Sequence, residues 1–280
     1  TYCTREHDSL KISNGKWCWF SRGIGGKTAL DYLIKVQDYP FTQAVETILG
    51  RTAARPPLIS YRQQIPEPPR DLMMPELNSN TKAVVKYLMG RGIHPEVINF
   101  CLINRLLFES RQYHNAVFVG YDKDGKARYA ALRGTMGSYK GEVTGSDKRY
   151  SFSIVENRSA GTVHLFESAI DLMSYATLLH MTGRYWKQDA LLSLAGVYKT
   201  KRENVVPVSL SRFLTDYPAI KTLRLHLDND EIGRGAAKGI MDGLKDKYEI
   251  LDEPPRYGKD VNDALQRRLG LHRQKEECVR

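Results

Sequence analysis

The chain has 280 residues, 41% of them apolar, with 42 Lys and Arg against 32 Asp and Glu for a net charge of +10. No apolar run approaches the ~20 residues of a membrane span and no signal peptide is visible, so no membrane-spanning helix is expected; the first residue is Thr1, so a trimmed start with a missing upstream ligand is allowed for. The four cysteines (Cys3, Cys18, Cys101, Cys278) form no close-spaced pair, which argues against a disulfide framework and for a reducing, cytoplasmic setting.

Residues 1–54 read as a small N-terminal unit. An aromatic strand at 17–20 leads into a glycine-rich turn at 21–26. Ala29, Leu30, Leu33 and Ile34, then Phe41, Ala44, Val45 and Ile48 beyond Pro40, keep helical spacing. Six prolines between 55 and 80 make a stiff linker or extended wrap. Residues 81–158 form a third segment, with helices at 83–89 and after Pro95. A hairpin follows, with strands at 116–121 and 127–132 joined by Asp122-Lys123-Asp124-Gly125. From 159 to 257 strands and helices alternate: strands at 162–166, 191–194, 223–227 and 248–251, helices at 169–181 and 236–247. That alternation predicts an α/β fold with a parallel sheet and flanking helices. Residues 258–280 hold an acidic turn and a helix at 264–269.

The chemistry concentrates at strand ends. Glu167 closes the strand at 162–166, with Asp171 one turn further on, and Asp228-Asn229-Asp230 closes the strand at 223–227. Residues just past the carboxyl ends of strands in open α/β sheets face the ligand crevice. Carboxylates gathered there repel unless a cation sits between them, and hard oxygen donors suit Mg2+ or Mn2+. A calcium loop starting at Asp228 fails, because its fifth and twelfth positions carry Ile232 and Gly239. A solvated acidic turn capping a helix is the alternative. Gly258-Lys259-Asp260-Val261-Asn262 is a third acidic turn, either a helix cap or an outer metal ligand.

Other motifs carry less. Gly25-Gly26-Lys27-Thr28 mimics the end of a phosphate-binding loop but has Ser21 where the first glycine belongs, and reads as a turn and helix start. Cys3, His7 and Cys18 lack a fourth zinc ligand, since Ser21 stands at the expected position. The unit is therefore expected to fold without zinc around Trp17, Trp19, Phe20, Leu30 and Leu33. Arg128, Arg133, Lys148 and Arg149, with Tyr150, suit a nucleic-acid strand or an edge protected by charge.

Three segments resemble the acidic motifs of Toprim domains: Leu165-Phe166-Glu167 with Asp171, Leu227-Asp228-Asn229-Asp230 with Gly233, and Lys259-Asp260-Val261-Asn262. That fold is shared by DnaG-type primases, type IA and II topoisomerases and several nucleases. Upstream, residues 115–134 and Arg91-Gly92-Ile93 resemble the primase segment preceding the Toprim domain. Residues 18–33 resemble a degenerate primase zinc-binding domain, so the likeness runs along nearly the whole chain in primase order. The kin it points to are Toprim proteins of mobile elements and plasmids.

The departures are Ser168, where primases usually carry glycine, and the missing zinc ligands. The resemblance implies a Toprim domain at 159–257 after a small primase-like α+β segment and a degenerate zinc-ribbon-like unit. Glu167, Asp228 and Asp230 are then catalytic and, with Asp260, hold Mg2+ or Mn2+; Asp171 and Asn262 support them. Arg128, Arg133, Lys148 and Arg149 are expected to line a groove for single-stranded DNA. Partners would be single-stranded DNA, nucleoside triphosphates and replication or conjugation proteins, with no membrane. A primase-like nucleotidyltransferase is the leading reading, and a Toprim nuclease or an inactive DNA-binding factor the alternatives. The length leaves no room for the strand-gate domains of a type IA topoisomerase.

Overall fold

The structure, a computed structural model, describes residues 2, 3, 9–52, 71–196 and 206–271. Most of the proline-rich segment, His7 and Cys278 lie outside the described residues. The chain divides into two units, Thr1–Glu67 and Pro68–Arg280.

In the first unit β1 (Tyr2–Cys3), β2 (Leu10–Ser13), β3 (Lys16–Trp19) and β4 (Ile24–Gly26) form an antiparallel sheet in that order, followed by α1 (Ala29–Lys35) and α2 (Phe41–Thr52). Asn14 and Gly15 turn the β2–β3 hairpin with positive φ at both residues, the geometry that matches strand twist. Leu10, Trp17 and Trp19 are the core, with Ile12, Ile24, Tyr32 and Val36 packed against it. Three residues of the expected core are corrected. Phe20 is 68% exposed, because the strand ends at Trp19 and a 3-10 turn begins, and Leu30 and Leu33 are only half-buried, outside this cluster. The predicted glycine turn contains β4. Gly26 packs against Trp17, whose ring would meet an added Cβ at 2.7 Å, so this glycine serves packing. Thr28 caps α1 by accepting the Asp31 N–H at 3.0 Å. Cys3 and Cys18 both pair with Lys11, on opposite sides, which sets them about 10 Å apart at ~4.8 Å per strand.

The second unit begins with α3 (Lys82–Gly90) and α4 (Pro95–Ile103), then an antiparallel sheet β5 (Leu107–Glu109), β6 (Ala116–Tyr121), β7 (Ala127–Arg133), β8 (Lys140–Glu142). The predicted hairpin is present, its turn closed by the Gly125 N–H donating to Asp122 O. Glu109 reaches from β5 to the start of α3 and accepts the N–H groups of Ala83 and Val84 at 2.9 and 3.1 Å. A distant carboxylate thus does the work of a local cap.

Next come β9 (Ser153–Ile154), β10 (Thr162–Phe166), α5 (Ala169–Met181), β11 (Ala190–Ser193), α6 (Val208–Asp216), β12 (Thr222–Leu225), α7 (Glu231–Leu244), β13 (Glu249–Asp252) and α8 (Val261–Arg268). The sheet order is β13-β12-β10-β11-β9, parallel except for the antiparallel edge strand β9. Alternation along β10 sends Val163 and Leu165 into one core with α6 and α7, and Phe166 into another with α3, α4, α5 and α8. Burial on both faces explains why these strands read as continuous apolar runs. Helix α7 starts five residues before its predicted start, because Asp230 caps it. No helix among the described residues is long and apolar enough to cross a membrane.

Candidate metal centre

Each acidic motif stands where a strand hands over to a helix. At the first, Ser168 caps α5, and its hydroxyl donates to Asp171 Oδ2 at 2.5 Å. At the second, Asp230 Oδ1 accepts the N–H groups of Ile232 and Gly233 at 3.0 and 2.9 Å. At the third, Asp260 accepts the Asp263 N–H at 2.7 Å and starts α8. The cap reading holds for Asp230 and Asp260, and capping fixes both carboxylates at the sheet edge.

Because β10 and β12 are neighbours, their ends converge. The Asp228 N–H donates to Glu167 Oε1 at 3.2 Å. Gly233 makes room for this contact: an added Cβ would lie 2.2 Å from Asp228 O and 2.7 Å from Glu167 Oε1. Burial, with Asp228 as neighbour, pushes the Glu167 carboxyl up to about 7. Burial also raises Asp171, to about 7, with Asp260 and Asp228 adding repulsion. Asp228 is raised by burial and Asp260. Asp230 moves the other way, lowered by the Gly233 N–H and the Lys259 ammonium. Asn262 knits the third motif to the first, its N–H donating to Asp171 Oδ1 at 3.3 Å and its amide to Ser174 Oγ at 2.9 Å. Arg91 donates to Asn262 Oδ1 at 2.8 Å, which brings the end of α3 to the same edge.

Lys259 stands in the third motif, where its place in the sequence assigns it no role. Its Nζ lies 3.3 Å from Asp228 Oδ2 and 3.1 Å from Asp230 Oδ2. Positive charge thus already sits between two of the expected ligands. The donors are all oxygens, Asp230 is held ionised by its surroundings, and a cation is accepted between it and Asp228. The residues fit a hard divalent cation. With the ammonium in place, the carboxylates do not close into a trio whose oxygens all lie within 4.8 Å of one another.

Glu167, Asp171, Asp228, Lys259, Asp260 and Asn262 line a cleft of about 730 Å³, shared with Arg91, Arg133, Lys140 and the rings of Tyr87, Tyr129 and Tyr139. Of the four basic residues expected along a groove, Arg133 alone is in this lining. Arg149 is bound by both oxygens of Asp147, Lys148 pairs with Glu142 at 2.9 Å, and Arg128 lies between Asp122 and Asp147. The charge pattern 128–149 could not reveal those local acidic partners. Lys140 and Arg91, which do line the cleft, were missed because neither belongs to a basic cluster.

Residues 164–265 match a family model described as Toprim-like, and residues 86–157 match one described as a protein of unknown function, DUF3991. The chain carries a Toprim-like domain, with its mostly parallel sheet, preceded by antiparallel sheets. It is 26% identical over 298 residues to the uncharacterized protein pXO2-78 of Bacillus anthracis, a plasmid homologue, spanning 99% of this chain and 84% of that one. A 65 kDa protein of Zymomonas mobilis is also 26% identical, over 94% of this chain, which spans only 46% of that relative. Among solved structures, the primase fragment of the bacteriophage T7 primase-helicase has a TM-score of 0.46 at 16% identity, covering 69% of this chain and 73% of its own. The DnaG catalytic core has a TM-score of 0.46 at 14% identity, covering 70% and 72%.

Proposed function

We propose that the chain is a primase-like nucleotidyltransferase of a plasmid or mobile element, acting on single-stranded DNA with nucleoside triphosphates. One observation carries the reading: the ends of β10 and β12 bring Glu167 beside Asp228, and the Lys259 ammonium sits between Asp228 and Asp230, at the edge of a cleft that also holds guanidinium and aromatic groups. Phosphoryl transfer asks a protein mainly for positioning and charge stabilisation. A bound Mg2+ or Mn2+ would supply charge to the reacting phosphate oxygens, held by Asp228, Asp230 and Asp260.

The remaining work belongs to the chain's own groups. Glu167, beside Asp228, faces the reacting centre and can accept a proton from an attacking hydroxyl. Arg133, Arg91 and Lys140 offer charge to the template or the triphosphate, and Tyr139, 54% exposed, offers a face for base stacking. Asp171 and Asn262 hold the motifs in register without facing solvent, at 6% and 2% exposure. Of the expected basic groove, Arg133 is retained, while Arg128, Lys148 and Arg149 form a separate charged edge.

The test is incubation with single-stranded DNA, labelled nucleotides and Mg2+ or Mn2+. Extended products support the proposal. Shortened DNA indicates a nuclease at the same carboxylates, and retention of DNA without any product indicates a binding factor.

A further inference from the structure

A second set of potential ligands lies away from the acidic cleft. His94, Glu96 and His180 form the one trio of His, Cys, Asp or Glu among the described residues whose ligand atoms all lie within 4.8 Å of one another. His94 immediately precedes Pro95, the first residue of α4, and its backbone N–H donates to Thr177 Oγ1 at 3.1 Å, tying that end of α4 to α5. Three residues further along α5, on the same face, stands His180. The two imidazole rings lie 4.2 Å apart, and Glu96 Oε2 lies 3.5 Å from His180 Nδ1. None of the three lines the acidic cleft. His180 is nine residues beyond Asp171 on α5, about 13 Å at 1.5 Å per residue.

We infer that His94, Glu96 and His180 form a zinc-class metal site that joins the start of α4 to the end of α5. Two borderline imidazole nitrogens with one carboxylate make a donor set suited to zinc, unlike the all-oxygen set of the cleft. Zinc bonds of 2.0–2.2 Å in a tetrahedron put ligand atoms about 3.3 Å apart. Glu96 and His180 are already at 3.5 Å, so the distances to His94 need to close by at most about 1.5 Å, within reach of rotation of the partly exposed His94 side chain. The fourth position falls to water on the solvent side, where the Glu96 side chain is 52% exposed.

The cation replaces the proton that a His180–Glu96 ion pair needs. His94 and His180 are far apart along the chain, so the site exists only when the unit is folded and binding stabilises the fold. The earlier expectation of no zinc rested on Cys3, His7 and Cys18, which belong to a different unit. This inference stands apart from the proposed polymerisation and survives its failure.

The experiment titrates the chelator-stripped full chain with zinc against a chromophoric chelator, with millimolar Mg2+ present throughout to occupy oxygen sites. The expected result is saturable zinc binding that weakens at least about tenfold in both Glu96→Gln and His180→Gln, since loss of even an outer partner of a metal ligand costs that much. Binding should persist in Asp228→Asn. Glu96 is exposed, so Glu96→Gln remains a decisive arm if His180→Gln fails to fold. Absence of saturable binding, binding indifferent to Glu96→Gln, or loss in Asp228→Asn with Glu96→Gln unaffected overturns the site.

Discussion

The backbone N–H of Asp228 donates to the Glu167 carboxylate at 3.2 Å, linking residues that stand at the ends of adjacent parallel strands. The contact makes Glu167 both a candidate catalytic group and a clasp between two loops. Its spacing depends on the absence of a side chain at Gly233.

Gly233→Ala should therefore damage structure and function together. Its Cβ would fall 2.2 Å from Asp228 O, a backbone atom that moves only with its loop. Overpacking of this kind costs roughly 1–3 kcal/mol. Denaturant unfolding should show that loss, and any metal-dependent product should fall with it. An alanine variant with unchanged stability would mean that the two strand ends are looser than they stand here.

Asp228→Asn separates chemistry from binding. Asparagine keeps the size and one acceptor oxygen but removes charge from a buried position that burial and Asp260 already disfavour for an anion. Metal-dependent product should fall by roughly two to three orders of magnitude, the scale of losing one charge-stabilising group. Folding and DNA affinity should stay near those of the parent. Product that survives Asp228→Asn combined with Asp230→Asn would show the acidic cluster to be structural.

Lys259→Met tests the ammonium between Asp228 and Asp230. Its side chain is 58% exposed, so the ion pairs are solvent-screened and their removal should change stability by less than about 1 kcal/mol. Divalent-cation affinity should rise several-fold, because one competing positive charge is gone. Calorimetric titration with Mn2+ reads this directly, and weaker Mn2+ binding would instead make Lys259 a support for the site.

Glu109 predicts an acid limb in the stability of the second unit. Burial would raise its pKa, but hydrogen bonds from His114, the Val84 and Ala83 N–H groups and Asn78 outweigh it and hold it below 4.5. A depressed carboxylate stabilises the fold above its unfolded value and loses that contribution as pH falls through the folded value. Stability should thus drop below about pH 4.5. Glu109→Gln should cost roughly 1–3 kcal/mol at neutral pH and flatten that limb. Equal acid sensitivity in both proteins would assign it to other groups.

Much of the second unit was legible because its signals are local. The run at 162–166 and the helix at 169–181 have the boundaries read from the sequence, since a doubly buried strand shows as unbroken apolar residues and Ser168 marks its helix start. The shorter β5, β8 and β9 were not legible, because two or three residues carry no period. The start of α7 was misread for a different reason: the acidic triplet was read for chemistry, and its capping role placed the helix start at Glu231.

The sequence by itself determined which carboxylates lie at strand ends, because strand, cap and helix are set by neighbours along the chain. Only the tertiary structure decided that β10 and β12 are adjacent, so that Glu167 meets Asp228, and that Lys259 returns between Asp228 and Asp230. It alone joined His94 to His180. These relationships depend on sheet order and helix packing, where residues far apart in sequence are brought together by burial of apolar faces, which a local pattern records only as apolar.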